Sequence, residues 1–260
     1  MEWARIEEGV NIRTNLARHF ALVITLPCHH DGAFLSKTVD ILEKVTPAIE
    51  NDFAVVVAED GSDSSKIVRD LMLKYNNIVY FHNDRRLGRG KALREAWKCL
   101  EADIYMFMDV DMSTDLFQMN AFSNLIRNVR QGSFSLVTGS RYHPNSVVYR
   151  PIVRWVASVA YNKIIRLLFG SELTDHQCGF KAFSSDLIDR LSEIVQSDSW
   201  FWDTEMIIIA QKKGFKVSEI PIFWIEMKGP RTPVKRLLKD VWLHGTGILH
   251  LWWRVYFTGL

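Results

Sequence analysis

Short apolar segments alternate with helical patterns through the first half of the chain, and this alternation restricts the folds that are open to it. The run Ala21–Leu26 is continuously apolar and rich in β-branched residues, and Pro27 ends it. Phe53–Ala58, Ile78–His82 and Ile104–Met108 repeat the pattern. Runs of this length without polar alternation are typical of strands that are buried on both faces of a sheet.

Helical spacing separates these apolar runs. Leu35, Val39 and Leu42 recur after the first run, and the segment Gly90–Leu100 has helical spacing after the third. The order strand, helix, strand predicts an α/β fold, with a mostly parallel sheet and helices on both of its faces. Ligands of such sheets bind beyond the carboxyl ends of the strands. The residues expected there are Pro27, Glu59, Asp60, His82 and Asp109.

The second half is less regular, and composition narrows the function. A net charge of +2 over 260 residues gives no case for a nucleic-acid partner. Three cysteines without metal-ligand spacing fit a reducing cytosol, and the first 20 residues lack the apolar run of a secretory signal. We expect an N-terminal extension (1–20), one domain (21–234) and a C-terminal helix (235–260). Within the domain, helices are predicted near 152–169, 184–195 and 204–213, and strands near 136–138 and 217–224.

Asp109-Val110-Asp111 follows the apolar run Ile104–Met108 directly. Residues two apart in extended chain point to the same side, which brings the two carboxylates together. Hard oxygen donors suit Mg²⁺ or Mn²⁺, and either ion would also bind a diphosphate. The alternative is an ordinary turn with solvated or capping acids.

The segment Leu87–Lys91 contains two glycines and two basic residues at the expected start of a helix. Its backbone N–H groups and cations could bind a nucleotide phosphate there. The alternative is a glycine loop with surface charges. The spacing matches neither a Walker loop nor a dinucleotide-binding loop, so a kinase, a GTPase or a dehydrogenase is not supported.

The chain carries six short motifs in a fixed order: Pro27–Asp31, Glu59–Asp63, Gly88–Lys91, Asp109–Asp111, Gly139–Arg141 and Gln177–Lys181. Together they resemble family 2 inverting glycosyltransferases. Within that family the chain is most similar to polyprenyl-phosphate sugar synthases, and more to dolichyl-phosphate glucosyltransferases than to dolichyl-phosphate mannose synthases. The resemblance implies the Rossmann-like glycosyltransferase A-type fold, hexosyltransferase activity, a divalent metal (Mg²⁺ or Mn²⁺) and a polyprenyl phosphate acceptor. It implies a nucleotide-diphosphate sugar as donor, with UDP-glucose favoured and GDP-mannose as second option.

The donor-binding residues that the resemblance implies come from the first four motifs. Histidine and aspartate replace the family's usual tyrosine and glutamate in the segment that holds the nucleoside, and glutamate replaces the first aspartate of the pair near the base and ribose. Ser113 stands where the mannose synthases have glutamine. The expected donor-binding residues are Pro27, His29, Asp31, Glu59, Asp60, Gly90, Lys91, Asp109 and Asp111, of which Asp109 and Asp111 hold the metal.

The resemblance places basic residues at the acceptor phosphate. Arg141 matches the arginine of a Gly-Ser-Arg motif and Arg154 a basic residue before a helix, and a guanidinium can hold two phosphate oxygens at once. Glu226 stands where the mannose synthases tend to have arginine. The expected acceptor-phosphate residues are Arg141, Arg154, Gln177, Lys181, Arg231 and Lys235.

Two acids complete the implied catalytic set with Asp109 and Asp111. Glu205 matches an acidic residue at the start of a family helix, and Asp203 lies beside it. A phosphate acceptor is already ionised at neutral pH and scarcely needs a general base. We therefore expect Asp203 and Glu205 to orient the site, with helix capping as the alternative.

The C-terminal segment has an amphipathic pattern. Apolar residues such as Trp242, Leu249 and Trp253 recur at helical spacing, and Lys235, Arg236 and Lys239 precede them. This pattern favours a helix at a membrane interface, which would make the protein peripheral at the cytoplasmic face. The alternative for this segment is a helix packed on its own domain. The alternative for the whole chain is another sugar or acceptor, or a degenerate nucleotide-sugar-binding module.

Overall fold

A nine-stranded sheet forms the centre of the protein. The computed structural model describes residues 3–7, 10–13, 19–114, 119–226 and 234–259, with side chains for 19–114, 120–226 and 242–259. The strands are β1 (Trp3–Glu7), β2 (Val10–Arg13), β3 (His19–Cys28), β4 (Phe53–Asp60), β5 (Ile78–Asn83), β6 (Glu101–Met108), β7 (Leu136–Ser140), β8 (Val147–Tyr149), β9 (Phe180–Ser184), β10 (Val217–Pro221) and β11 (Phe223–Ile225). The helices are α1 (Gly32–Val45), α2 (Ser65–Lys74), α3 (Arg89–Trp97), α4 (Met119–Arg130), α5 (Ile152–Phe169), α6 (Ser185–Leu191), α7 (Trp202–Lys212) and α8 (Val234–Phe257).

The large sheet is mostly parallel. Its strands lie in the order β1-β2-β5-β4-β3-β6-β9-β7-β10, and within it β2 and β9 run against the others. β8 and β11 form a separate parallel pair. The predicted α/β architecture is confirmed, because the apolar runs of the first half are the central parallel strands β3, β4, β5 and β6.

Each face of the sheet carries its own hydrophobic core. Successive side chains of β4 point to opposite faces, so that Val55 and Val57 join one core while Ala54 and Val56 join the other. The helices α1, α2 and α4 cover the first core, and α3, α5, α6, α7 and α8 cover the second. Burial on both sides explains why these strands lack polar alternation.

The C-terminal helix α8 packs on the domain and also exposes apolar side chains. Leu251 is 1% exposed in the second core, and a Cβ atom at Gly247 would lie 2.7 Å from the ring of Phe201, so a glycine permits the close approach. Trp253 and Leu249 point outward, at 55% and 69% exposure. Apolar residues therefore occupy both the inner and the outer face of α8, whereas the sequence predicted a single apolar face.

Several elements depart from the sequence expectation. The helix expected at 184–195 is the shorter α6, and neither β9 nor α4 was predicted. The strands β1 and β2, within the expected N-terminal extension, join the sheet through β5. No helix among the described residues combines the length and the apolar character needed to cross a bilayer.

Candidate active site

The carboxyl ends of the central strands meet along one edge of the sheet. Cys28 at the end of β3 pairs with Glu59, and Glu59 pairs in turn with His82 at the end of β5. Asp109 follows the last residue of the neighbouring strand β6. The sheet register thus brings Pro27, Glu59, Asp60, His82 and Asp109 to a common edge, as the alternation of strands and helices predicts.

The two aspartates after β6 are held in place by hydrogen bonds. The N–H of Asp109 donates to the carbonyl oxygen of Gly179 at 2.9 Å, and the Thr38 hydroxyl donates to the carbonyl of Val110 at 2.7 Å. One carboxylate oxygen of Asp111 accepts from the N–H (3.1 Å) and the hydroxyl (2.7 Å) of Ser113. Ser113 therefore orients the carboxylate of Asp111.

The glycine of the motif Gln177–Lys181, Gly179, lies directly against Asp109. A Cβ atom at this position would overlap the carboxylate of Asp109, because the backbone entering β9 passes directly against that side chain. The side chain of Asp109 is 27% exposed and so remains open to solvent on its other side. The glycine of Gln-Cys-Gly-Phe-Lys thus makes room for a candidate metal ligand.

A buried charge cluster lies behind Asp109. The guanidinium of Arg89 is 3.5 Å from Asp109 and forms an ion pair with Asp203, while Lys181 lies 3.6 Å from the other oxygen of Asp203. Burial lowers the pKa of Arg89 to about 10 and that of Lys181 to about 7. The ring of Trp200 stacks on Arg89 at 3.8 Å. This cluster connects Asp203 to Asp109 through Arg89.

Lys181 does not reach the acceptor side, where the resemblance had placed it. Its side chain is fully buried, on the strand β9 that lies between β6 and β7, and its ammonium donates to the carbonyl oxygen of Cys178. The ammonium acts inside the protein, as counter-ion to Asp203. The expectation of a phosphate contact is therefore not supported by its position.

Glu59 is an internal residue. Its carboxylate accepts from the hydroxyls of Ser62 (2.7 Å), Ser64 (2.8 Å) and Tyr80 (2.6 Å) and from the N–H of Ser64 (2.7 Å). These bonds fold the turn between β4 and α2, and Glu59 itself has no exposed surface. The geometry gives Glu59 an organising position below the expected nucleoside site and does not bring it to the ligand surface.

Asp60 anchors the glycine-containing loop. Its carboxylate accepts from the N–H groups of Leu87 and Gly88, the latter at 2.9 Å. The next amides, of Gly90 and Lys91, donate to the carbonyl oxygen of Asp198 at 2.9 and 3.3 Å. All four N–H groups have partners in the protein, so the expected cradle of backbone donors for a phosphate does not form in this arrangement.

His29 and Asp31 lie beside Asp60 at the end of β3. The Nδ1 atom of His29 is 2.6 Å from the carbonyl oxygen of Asp60, and its ring lies 4.3 Å from that of His30. Asp31 is partly exposed and precedes the first residue of α1. The imidazole ring of His29 can therefore provide an aromatic surface next to the loop that Asp60 anchors.

Glu205 supports the same loop from the opposite side. Its carboxylate accepts from the N–H groups of Gln196 (3.1 Å) and Ser197 (2.7 Å) and pairs with Arg254 of α8. Ser197 directly precedes Asp198, whose carbonyl receives the loop amides. Glu205 thus fastens α8 and the 196–198 segment together, and Arg254 lies on the inner side of the helix, not on the expected polar face.

Arg141 is committed to an internal carboxylate. Its Nε and Nη2 atoms donate to the two oxygens of Asp175 at 2.7 and 2.8 Å, and its backbone N–H donates at 3.0 Å. Burial alone would raise the pKa of Asp175, but the charge of Arg141 holds it at about 2. The bidentate face that the resemblance assigns to a phosphate is therefore turned toward Asp175.

Arg154 and Arg150 share a carboxylate partner. Arg154 donates to Glu226 at 2.7 Å, and Arg150 lies 3.7 Å from the other oxygen of that side chain. Arg150 also donates to the hydroxyls of Ser158 (3.1 Å) and Tyr142 (3.4 Å). Arg150 was not among the expected acceptor residues; it lies two residues before α5, in the segment that joins β8 to that helix.

The remaining expected acceptor residues lie elsewhere. Gln177 is 3.4 Å from the hydroxyl of Tyr161 and 3.3 Å from the ring of His244, at the junction of α5 and α8. Arg231 lies outside the described residues, as does the side chain of Lys235. Among the parts of the chain that are described, no three His, Cys, Asp or Glu side chains group together as metal ligands.

Comparison with known proteins places this geometry in a family. Residues 23–192 match Glycosyl transferase family 2. Glycosyltransferase AglD of Haloferax volcanii is 40% identical over 238 residues, which cover 89% of this chain and 37% of that protein. A dolichyl-phosphate beta-glucosyltransferase of Trichomonas vaginalis is 26% identical over 79% of this chain and 64% of its own length. The chain therefore spans less than two thirds of either relative.

Solved structures share the fold. The glucosyl-3-phosphoglycerate synthase of Mycobacterium tuberculosis, in complex with Mn²⁺, UDP and phosphoglyceric acid, has a TM-score of 0.66 at 14% identity and covers 90% of this chain and 78% of its own. The mannosyltransferase PcManGT of Pyrobaculum calidifontis, in complex with GDP-Man and Mn²⁺, has a TM-score of 0.62 at 16% identity and covers 90% and 65%. The protein has the glycosyltransferase A-type fold, and it belongs to glycosyl transferase family 2.

Proposed function

We propose that the protein transfers a hexose, with glucose as first choice, from a nucleotide-diphosphate sugar to a polyprenyl phosphate, with inversion at the sugar carbon. The observation that carries this proposal is the pair Asp109 and Asp111 at the carboxyl edge of the sheet, in a chain whose relatives include dolichyl-phosphate beta-glucosyltransferases. UDP-glucose is the favoured donor and GDP-mannose the second.

The aspartate pair fits a divalent metal. Asp109 is partly open to solvent and Asp111 is oriented by Ser113, so the turn after β6 carries two hard oxygen donors. Mg²⁺ and Mn²⁺ are commonly held by one or two carboxylates together with substrate phosphates. When bound, the ion would supply positive charge for the departing diphosphate. The Mycobacterium and Pyrobaculum structures both contain Mn²⁺.

Asp203 and Glu205 act as positioning residues in this proposal. Asp203 is fully buried and holds Arg89, whose guanidinium sets the position of the Asp109 carboxylate. Glu205 fastens the segment that receives the amides of Gly90 and Lys91. Neither acid needs to remove a proton, because the acceptor phosphate attacks as an anion.

Transfer can be tested directly with radiolabelled donors. A panel of UDP- and GDP-sugars is incubated with the protein, a divalent metal and a short prenyl phosphate, and lipid-extractable label is counted. We expect the highest rate with UDP-glucose. If donors bind without yielding a lipid product, the chain is a nucleotide-sugar-binding module; if another sugar or acceptor is used, the substrate assignment is wrong and the enzyme class stands.

We further propose that the protein lies on the cytoplasmic face of a membrane as a peripheral protein. Two helices support this proposal with exposed apolar side chains, an arrangement that suits an interface between water and lipid. The exposed residues are Ile152, Val153, Val156, Ile164 and Leu167 on α5 and Trp242, Leu249, Trp253, Tyr256 and Phe257 on α8.

Replacing Leu249 and Trp253 together by serine should weaken membrane binding strongly. Burial of two such side chains contributes about 3 kcal/mol, which corresponds to on the order of 100-fold in partitioning. Flotation with anionic vesicles measures it, and the loss should persist at high salt because apolar burial is not screened. Trp252 is left unchanged because it packs partly against the domain core.

Leu73→Ser is the matched control for the flotation experiment. Leu73 is 77% exposed at the end of α2, away from both helices. Transfer to a water-soluble prenyl phosphate should stay the same in all variants. Equal flotation of the double variant and the wild type, or no flotation of either, would refute the membrane role of α8.

A further inference from the structure

The ion pair between Glu226 and two arginines occupies the acceptor side of the site. Glu226 is 15% exposed, and its carboxylate lies 2.7 Å from Arg154 and 3.7 Å from Arg150. Its backbone N–H donates to the carbonyl oxygen of Tyr149 at 2.9 Å, which fixes the main chain beside the start of α5. The side chain is therefore the movable part of this contact.

Arg150 has unmet hydrogen-bonding capacity. Its side chain is 8% exposed, and its Nε atom is buried without a hydrogen-bond partner in the described structure. An unsatisfied buried donor costs about 1 to 3 kcal/mol. Its Nη1 atom already donates to Ser158 and Tyr142, so the guanidinium is held with one donor unused. This arrangement indicates a ligand oxygen that the described residues do not supply.

We propose that the acceptor phosphate binds between Arg150 and Arg154 by displacing the carboxylate of Glu226, which makes Glu226 a specificity-determining residue for the acceptor. The inference rests on the proposed transfer to a phosphate and adds Arg150 and Glu226 to that site. Arg141 is not a direct phosphate ligand in this proposal, since its bidentate face is occupied by Asp175.

The charges favour this exchange. A phosphomonoester carries a charge of about −1.5 to −2 at neutral pH and offers three oxygen acceptors, whereas Glu226 carries one charge and two oxygens. Planar guanidinium groups bind phosphate oxygens well, and two of them lie within 3.7 Å of the Glu226 carboxylate. Glu226 therefore sets a threshold: an anion occupies the site only when it binds the arginines more strongly than the internal carboxylate does.

Glu226→Gln removes the competing charge and keeps the shape of the side chain. We expect the KM for a short prenyl phosphate to fall by about two- to tenfold, the worth of a partly exposed ion pair. Inorganic phosphate should inhibit more strongly by a similar factor, as a competitor of the acceptor. The affinity for UDP-glucose should not change, because the Asp109 side of the site is untouched.

Two further variants separate the exchange from other effects. Glu172→Gln changes the net charge equally at an exposed position and should leave all three constants as in the wild type. Arg150→Met in the Glu226→Gln background should cancel the gain in prenyl phosphate affinity, provided that circular dichroism shows a folded protein. If that variant does not fold, Arg154→Met in the same background provides the measurement.

Binding without turnover keeps this inference distinct from the proposed function. Calorimetry with prenyl phosphate and with inorganic phosphate reports the exchange even if the wild type transfers no sugar. Tighter binding to Glu226→Gln supports the exchange whatever the activity. Equal or weaker phosphate binding by Glu226→Gln, with donor affinity retained, overturns it, and so does an equal gain in Glu172→Gln.

Discussion

Asp111→Ala is expected to reduce transfer on the order of 1,000-fold while the protein stays folded. The carboxylate lies in the turn that follows β6, and Ser113 holds it in one orientation. A metal ion that neutralises a departing diphosphate lowers the barrier by several kcal/mol, and each 1.36 kcal/mol is worth tenfold in rate. The fold should lose only the hydrogen bonds of Ser113, about 1 to 2 kcal/mol. Radiolabel transfer and urea unfolding measure the two effects.

Ser113→Ala provides a graded comparison for Asp111→Ala. It keeps the carboxylate but removes the hydroxyl that donates to it at 2.7 Å. We therefore expect a smaller loss of transfer and weaker binding of the metal. Asp189→Ala, at an exposed position on α6, should behave as the wild type. Undiminished transfer by Asp111→Ala, or transfer that persists in a chelator, would contradict the metal assignment.

The central sheet could be predicted from the sequence because its burial is uniform. All eight residues of β4 are buried, and such runs are unlike half-exposed strands or amphipathic helices. The first half of the chain therefore places the ends of β3 to β6 without further information. Strand register then brings Glu59, His82 and Asp109 to one edge.

The second half was harder because one of its strands contains a buried charge. In β9, Lys181 interrupts the apolar pattern, and a lysine in such a sequence is typical of the protein surface. Its burial depends on Asp203, which lies 22 positions later and 3.6 Å away in space. A pattern of neighbours along the chain does not contain that partner, so β9 was not predicted and Lys181 was expected at the acceptor phosphate.

Positions of site residues were easier to predict than their contacts. Glu59, Asp60 and Arg141 occupy the expected part of the fold, but each carboxylate or guanidinium has internal partners that only the tertiary structure reveals. Arg150 was not predicted, since nothing in the sequence shows that Glu226 contacts both Arg150 and Arg154.

The ion pair of Arg141 and Asp175 gives the second large effect. Both side chains are buried, and removal of one partner leaves an uncompensated charge, which costs about 3 to 5 kcal/mol. Asp175→Ala should therefore lower the free energy of unfolding by about that amount in urea titrations at pH 7. Replacing both residues, by Arg141→Met and Asp175→Leu, should recover most of the loss because a well-packed apolar pair needs no counter-ion.

The same pair predicts a pH dependence with a definite sign. The pKa of Asp175 is about 2 in the folded protein, below the value near 3.9 that is usual for aspartate in an unfolded chain. Its stabilising contribution is complete above about pH 4 and is lost as the pH falls through the folded pKa, because the unfolded chain then binds the proton more readily. The difference in unfolding free energy between the wild type and Asp175→Ala should thus shrink between about pH 4 and pH 2. A difference that is constant over this range would mean that Arg141 is not the counter-ion of Asp175. The guanidinium of Arg141 would then be available to bind the acceptor phosphate.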